Sequence, residues 1–213
     1  MINQKENQLT GIGIDIDGVI TTNYYTAIKK IINKIGKENV QKLLKNKENL
    51  EELSDYSIDK LYDVISELPC GMRIANRFYK KRKPNKLIVD LIKELKEQGH
   101  QIFLITGFSH RELAEEWLEK HNVIYDELFV REKEKSIIEH KIETIEKLKP
   151  SIYIDNSKEI IDALSLEIPE VRGFLYQETK IKNPEKIIEE IKEIVSELRS
   201  NNEPSIEFKN CLK

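Results

Sequence analysis

The stretch GIGIDIDGVI, residues 11–20, places two carboxylates, Asp15 and Asp17, in an apolar run typical of a β-strand. Burying an unpaired charge is costly, so the pair lies at the exposed end of the strand, has a cationic partner, or both. Residues two apart in extended backbone point to the same side. Both carboxylates are therefore predicted to face one site, with Ile16 turned away.

Composition limits the classes of protein to consider. The chain has 213 residues, with 35 basic and 38 acidic side chains and a net charge of -3. This length predicts one domain, or one domain with an inserted subdomain. The balanced charge favours neither nucleic acid nor a membrane as partner. Without an apolar span or leader, we expect a cytoplasmic protein. Cys70 and Cys211 predict neither a disulfide framework nor a zinc site.

Strands alternate with helices along most of the chain. Strands are predicted at residues 9–16, 101–106, 127–130, 152–155 and 171–175, and helices at 84–98, 109–120, 135–148, 158–166 and 184–198. This alternation is typical of the α/β class and predicts a Rossmann-like, doubly wound parallel sheet.

A long segment separates the first two strands. Residues 27–44 and 58–68 carry apolar side chains at helical spacing, which predicts a small helical cap over residues 20–82, inserted after the first strand. The core is then formed by residues 1–19 and 83–199. Residues 200–213 are predicted to be a polar tail.

The predicted sheet gathers scattered polar residues into one site. Ligands of open parallel sheets bind at the carboxyl ends of the strands. Asp15 and Asp17, Thr106 and Asp155 all end strands, and Lys141 lies on the helix before the last of these. Clustered carboxylates without His or Cys favour Mg²⁺. This set suits phosphoryl transfer, with a carboxylate nucleophile, a carboxyl acid and cationic groups that hold phosphoryl oxygens.

The motifs DIDGV, LITG and Lys followed by IYID, in this order, resemble those of the haloacid dehalogenase (HAD) superfamily of phosphatases. The resemblance covers residues 9–176 and implies an Asp15 nucleophile and an Asp17 general acid/base. It also implies three magnesium ligands: the Asp15 carboxylate, the backbone carbonyl of Asp17, and Asp155. Thr106 and Lys141 would be catalytic and, with Gly107, would bind the substrate. An acid at Asp17 favours phosphate esters over dehalogenation.

Within the superfamily, the chain is most similar to the 5'(3')-deoxyribonucleotidases and their bacterial relatives, in LSDYSIDKLYDV, in HRELAEEWLEKHNVIYDELFV and in HKIETIEKLKPSIYIDN. Those relatives usually read TAR after the second strand and Asp-Asp in the fourth motif. This chain has Thr106-Gly107-Phe108 and Asp155-Asn156 instead. Asn156 could still support the metal through its carbonyl oxygen.

Several hypotheses follow. The first is a magnesium-dependent phosphomonoester hydrolase acting on a small metabolite, with a nucleoside monophosphate as the expected substrate. The others are a sugar phosphatase, an enzyme that transfers the phosphoryl group to another acceptor, and a non-catalytic phospholigand-binding or regulatory protein. Bland alternatives are a turn at Asp15 and Asp17, a helix cap at Asp155 and a solvated Lys141.

The run RFYKKRKPNK, residues 77–86, holds six basic residues. Such runs usually form a solvated face. Alternatively, Arg73 or Arg77 reaches the anionic group of the substrate, and Tyr24 or Tyr25 stacks on a base. Trp117 is predicted to be a packing residue, and no His is assigned to a metal.

Overall fold

The computed structural model describes residues 11–22, 71–177 and 184–202. Its strands are β1 (Gly11–Ile14), β2 (Thr21–Thr22), β3 (Lys83–Pro84), β4 (Gln101–Thr106), β5 (Glu127–Val130), β6 (Ile152–Asp155) and β7 (Arg172–Leu175). Its helices are α1 (Gly71–Tyr79), α2 (Lys86–Glu97), α3 (Arg111–Lys120), α4 (Ile137–Leu148), α5 (Lys158–Glu167) and α6 (Pro184–Asn202).

Five strands form one parallel sheet in the order β5-β4-β1-β6-β7. The chain order therefore reverses around β1, which lies between β4 and β6. Parallel strands buried on both faces read as continuous apolar runs, and β4 and β6 do so. The predicted α/β class and doubly wound parallel sheet are confirmed.

Helices cover both faces of the sheet. On one face Ile12, Ile14 and Leu104 belong to a buried cluster that includes residues of α2, α3 and α6. On the other face Phe103 and Tyr153 belong to a cluster that includes residues of α4 and α5. These two cores fix the positions of the strand ends.

The glycines of β1 make room for the second core. A Cβ atom at Gly11 would lie 2.9 Å from Phe103 Cε2, and one at Gly13 would lie 2.8 Å from Tyr153 Cδ2. The alternation GIGI therefore lets aromatic rings of the neighbouring strands cross over β1 on one face, while isoleucines pack on the other.

Among the element boundaries that differ from those predicted, three have a clear local cause. The first strand ends at Ile14, because residues 16–20 form a tight turn. Pro84 lies in β3 rather than opening a helix, and Asn85 precedes α2. Helix α4 begins at Ile137, because the Ser136 side chain accepts a hydrogen bond from Glu139 N and caps it.

A small antiparallel pair connects the chain on either side of the long segment. Strand β2 follows the β1 turn, and Thr21 pairs with Pro84 of β3. The returning chain is thereby held next to the end of β1. Most of the predicted cap, residues 23–70, lies outside the described residues, as do Tyr24, Tyr25 and the tail beyond residue 202. Among the described helices, none has the length and apolar character needed to cross a membrane.

Candidate active site

Lys141 joins two carboxylates at the carboxyl edge of the sheet. Its Nζ atom donates to Asp15 Oδ1 and to Asp155 Oδ2, each at 2.8 Å. All three side chains are 5% exposed or less. Asp15 follows β1, Asp155 ends the adjacent β6, and α4 leads Lys141 to them. We call Asp15, Lys141 and Asp155 the lysine cluster.

Asp155 is held by two further donors. The Tyr153 hydroxyl donates to Asp155 Oδ2 at 2.7 Å, and the Ser157 N–H donates to Asp155 Oδ1 at 2.8 Å. Tyr153 is fully buried. Both carboxylate oxygens of Asp155 are therefore fixed from its own strand and from the start of α5.

A second ion pair forms on the other side of β1. Arg82 Nη1 donates to Asp17 Oδ1, and Thr106 Oγ1 donates to Asp17 Oδ2 at 2.9 Å. The side chains of Arg82 and Asp17 are 4% and 5% exposed. We call Asp17, Arg82 and Thr106 the arginine cluster.

Aromatic residues support Arg82. Its guanidinium carbon lies 3.5 Å from the centre of the Tyr79 ring, and that ring stacks on Phe108 at 4.3 Å. Trp117 Nε1 donates to the Arg82 carbonyl at 3.1 Å. The backbone and the side chain of Arg82 are therefore both held in place.

The turn after Asp17 requires glycine. Gly18 has a φ angle of 96°, a conformation that other residues rarely adopt. A Cβ atom there would lie 2.2 Å from Asn156 Nδ2. The side-chain amide of Asn156 thus packs directly against the backbone that follows Asp17. The backbone carbonyl of Asn156 accepts a hydrogen bond from Gln177 Nε2 at 2.9 Å.

Burial and crowding set the electrostatics of the lysine cluster. Burial, together with the neighbouring Asp155 and Asp17, raises the pKa of Asp15 well above its usual range although Lys141 opposes this. Burial alone would lower the pKa of Lys141, but the Asp15 and Asp155 carboxylates raise it above its usual value. Lys141 therefore stays protonated, and the site favours further positive charge.

The donor set suits a hard cation. Three buried carboxylates face two cationic side chains in the lysine and arginine clusters, so negative charge is in excess. Asp15 Oδ2 accepts no hydrogen bond from the described residues. Magnesium prefers oxygen ligands of this kind. However, within residues 11–22, 71–177 and 184–202, no three Asp, Glu, His or Cys side chains are placed closely enough together to hold a metal ion in this arrangement.

The structure brings the predicted residues to one edge of the sheet. Asp15, Asp17, Thr106, Lys141 and Asp155 are all linked through the two clusters. Gly107 follows Thr106, and its carbonyl accepts from Arg131 Nε at 2.6 Å. The residue that sequence reasoning missed is Arg82.

Arg82 lies within the basic run that was predicted to be solvated. The two arginines that the sequence offered for an anionic group, Arg73 and Arg77, are exposed. The signal in the sequence was the neighbours of Arg82, because Tyr79 and Pro84 in the same run are not typical of a fully solvated face. That signal is weak without the fold.

Solved structures share this fold at low identity. One is a phospho-aspartyl intermediate analogue of phosphoserine phosphatase, with a TM-score of 0.54 and 17% identity over 85% of this chain and 98% of that chain. Another is YfnB from Bacillus subtilis, assigned to the HAD hydrolases and bound to magnesium, with a TM-score of 0.52 and 14% identity over 88% and 98%.

A chain of the Pnkp1/Rnl/Hen1 RNA repair complex also matches, with a TM-score of 0.48 and 16% identity over 79% of this chain. This chain spans only 42% of that one. No protein-family model matches the chain, and no curated protein matches it. The two structures with TM-scores above 0.5 show the fold alone: the chain shares the α/β fold of a phosphoserine phosphatase and of a HAD hydrolase.

Proposed function

We propose that the protein is a magnesium-dependent phosphomonoester hydrolase that works through an aspartyl phosphate. The observation that carries this proposal is the lysine cluster beside the arginine cluster at one edge of the sheet. A buried carboxylate with one oxygen that accepts no hydrogen bond from the described residues, next to a second, separately held carboxyl group, can provide a nucleophile and a proton carrier.

The nucleophile is Asp15. Its oxygen attacks phosphorus, and the bond from phosphorus to the ester oxygen breaks as the new bond forms. Asp17 gives a proton to the departing oxygen, which leaves as an alcohol. Asp17 then takes a proton from water, and that water displaces Asp15 from phosphorus and releases phosphate.

Cationic and hydroxyl groups stabilise the phosphoryl oxygens. Lys141 has three N–H donors, of which the two carboxylates use two, so one is left for the substrate. Gly107 lies at the same edge, and we assign its backbone to a remaining phosphoryl oxygen. The single O–H of Thr106 donates to Asp17 Oδ2, so Thr106 would bind the phosphoryl group only by giving up that hydrogen bond.

Magnesium would be held by Asp15, Asp155 and the backbone carbonyl of Asp17, with Asn156 in support. Bound there, it would supply positive charge to offset the charge that develops on the phosphoryl group. The excess of buried carboxylates over cationic side chains supports this assignment, because a divalent cation would offset their charge.

The substrate we propose is a small phosphorylated metabolite, with a nucleoside monophosphate first, on the resemblance of the motifs. The predicted helical cap over residues 20–82 would exclude water and select the leaving group. A panel of nucleotides and sugar phosphates, each assayed with magnesium and with EDTA, tests this. Hydrolysis of sugar phosphates alone would overturn the nucleotidase assignment.

The variant Asp15→Asn tests the mechanism. It removes the nucleophile and keeps the shape, so turnover should fall by about 10⁴-fold or more. Thermal unfolding should change little, because a neutral amide is no harder to bury than the carboxylate. A protein without turnover that still binds phosphate esters would instead be a phospholigand-binding protein.

A further inference from the structure

We propose that Arg82 is a positioning residue for Asp17: its guanidinium orients the carboxyl group that passes the proton. The inference rests on the proposed function, since it gives Arg82 a part in the same reaction. It adds a residue from outside the recognised motifs, and assigns a role to the basic run.

Asp17 is held at both of its oxygens. Arg82 Nη1 donates to Oδ1, and Thr106 Oγ1 donates to Oδ2 at 2.9 Å. A carboxylate fixed in this way cannot rotate about its last bond without losing one of the two hydrogen bonds. It has roughly four acceptor positions, so positions remain for the proton that moves.

Arg82 is itself built into the structure. It is 6% exposed, lies over the Tyr79 ring at 3.5 Å, and its carbonyl accepts from Trp117 Nε1 at 3.1 Å. A solvated arginine needs none of these supports. The planar guanidinium can stack and donate at the same time, which the ammonium group of lysine cannot do.

The contacts close into a ring. Asp17 contacts Arg82, which lies on Tyr79, which stacks on Phe108, whose N–H donates to Thr106 Oγ1 at 3.0 Å. Thr106 then returns to Asp17. The direction of the Asp17 carboxyl therefore depends on the segment that precedes β3 and on the loop after β4, two parts of the chain that meet only in the fold.

The test compares two substrates that differ in their need for a proton. An alkyl phosphate releases a poor leaving group that Asp17 must protonate, whereas p-nitrophenyl phosphate releases a stable phenolate unaided. The parameter is kcat/KM, which covers steps only as far as formation of the aspartyl phosphate. The later use of Asp17 as a base therefore does not enter.

The variants are Arg82→Met and Arg82→Lys in the full chain with magnesium. For Arg82→Met we expect kcat/KM to fall about 10²-fold on the alkyl phosphate and less than about threefold on p-nitrophenyl phosphate, as loss of general acid catalysis predicts. The kcat/KM of Arg82→Lys on the alkyl phosphate should lie between the values for Arg82→Met and for the natural protein. If Arg82→Met does not fold, the same substrate contrast is measured on Arg82→Lys.

Lys81→Gln is the matched control, because it removes one positive charge from the neighbouring, exposed position. Its kcat/KM should equal that of the natural protein on both substrates. Equal losses on both substrates for the Arg82 variants would show a merely structural role and overturn the inference. If the natural protein hydrolyses neither ester, the proposed function itself is overturned.

Discussion

The lysine cluster and the arginine cluster both neutralise carboxylates that follow β1, but the fold builds them differently. Lys141 and Asp155 are 14 positions apart on a helix and the strand that follows it. Asp17 and Arg82 are 65 positions apart, and residues 23–70 lie between them. The first cluster belongs to the core of the sheet, and the second depends on how the chain approaches the sheet at residues 71–85.

The clusters also differ in what supports them. Asp155 receives hydrogen bonds from Lys141, Tyr153 and Ser157, all within the α4–β6–α5 part of the fold. Arg82 lies on the aromatic rings of Tyr79 and Trp117 instead. A polar network fixes the charge around Asp15, whereas a stack of rings fixes the orientation of Asp17.

The largest expected effect is on stability when each cation is removed. Lys141→Met leaves two buried carboxylates without their cation and should lower the free energy of unfolding by about 3–5 kcal/mol. Arg82→Met leaves one carboxylate, which keeps its Thr106 hydrogen bond, so its loss should be smaller. Urea denaturation without magnesium measures both.

The order of these two losses is the critical result. Lys81→Gln serves as the control and should change the free energy of unfolding by less than about 0.5 kcal/mol. A larger loss for Arg82→Met than for Lys141→Met would show that the segment around Arg82, rather than the core of the sheet, carries the stability of the site.

This difference explains what could be predicted from the sequence. The strand ends at Asp15, Thr106 and Asp155 follow from apolar runs, and the parallel sheet brings strand ends together at one edge. Lys141 follows from the motif order. These steps use local patterns and one topological rule.

Arg82 could not be found in this way. A basic run has no periodicity that separates one buried arginine from its exposed neighbours, and burial of Arg82 depends on Tyr79 and Trp117 lying above it. Phe108 is a related case. In the sequence it was a departure from the TAR pattern of the resembling group, and in the structure it supports Tyr79, which in turn lies against Arg82.

Gly18→Ala should disturb both clusters, because Gly18 lies between Asp17 and the Asn156 side chain. The residue has a positive φ angle of 96° and a Cβ atom would meet Asn156 Nδ2 at 2.2 Å. We expect a loss of about 1–3 kcal/mol in the free energy of unfolding. Gly173→Ala is the matched control, since its nearest contacts are side-chain carbons at 3.2 Å and 3.3 Å. Equal losses would contradict the proposed special role of the turn.

His140 reports on the dielectric surroundings of Lys141. Burial, and then the charge of Lys141, lower the pKa of His140 from 6.5 to about 4. The folded protein therefore keeps His140 neutral while the unfolded chain takes up a proton. The stabilisation is complete above pH 6.5 and is lost as the pH falls towards 4.

We expect this loss to be about 2 kcal/mol, after allowing for partial solvent screening. His140→Leu should remove that part of the pH dependence, which urea titrations at several pH values between 4 and 7 would measure. An unchanged pH dependence would mean that His140 is protonated in the folded protein and that the surroundings of Lys141 are more polar than the structure indicates.

The smallest expected effect concerns the polar support of the lysine cluster. Tyr153→Phe removes the hydroxyl that donates to Asp155 Oδ2 at 2.7 Å but keeps the ring that packs against Gly13. Asp155 keeps Lys141 and Ser157, so the free energy of unfolding should fall by only about 1–2 kcal/mol. On the proposed function, in which Asp155 binds magnesium, the magnesium concentration for half-maximal activity should rise about tenfold, because the Tyr153 hydroxyl would orient that ligand.

Tyr176→Phe separates these two effects. Tyr176 is also fully buried, and its hydroxyl accepts from Asn85 Nδ2 at 2.9 Å. Its loss should lower stability by a similar amount without changing the magnesium requirement, and magnesium binding measured by calorimetry should show the same contrast. If both variants shift magnesium binding equally, the Tyr153 hydroxyl supports the fold of β6 and does not orient Asp155.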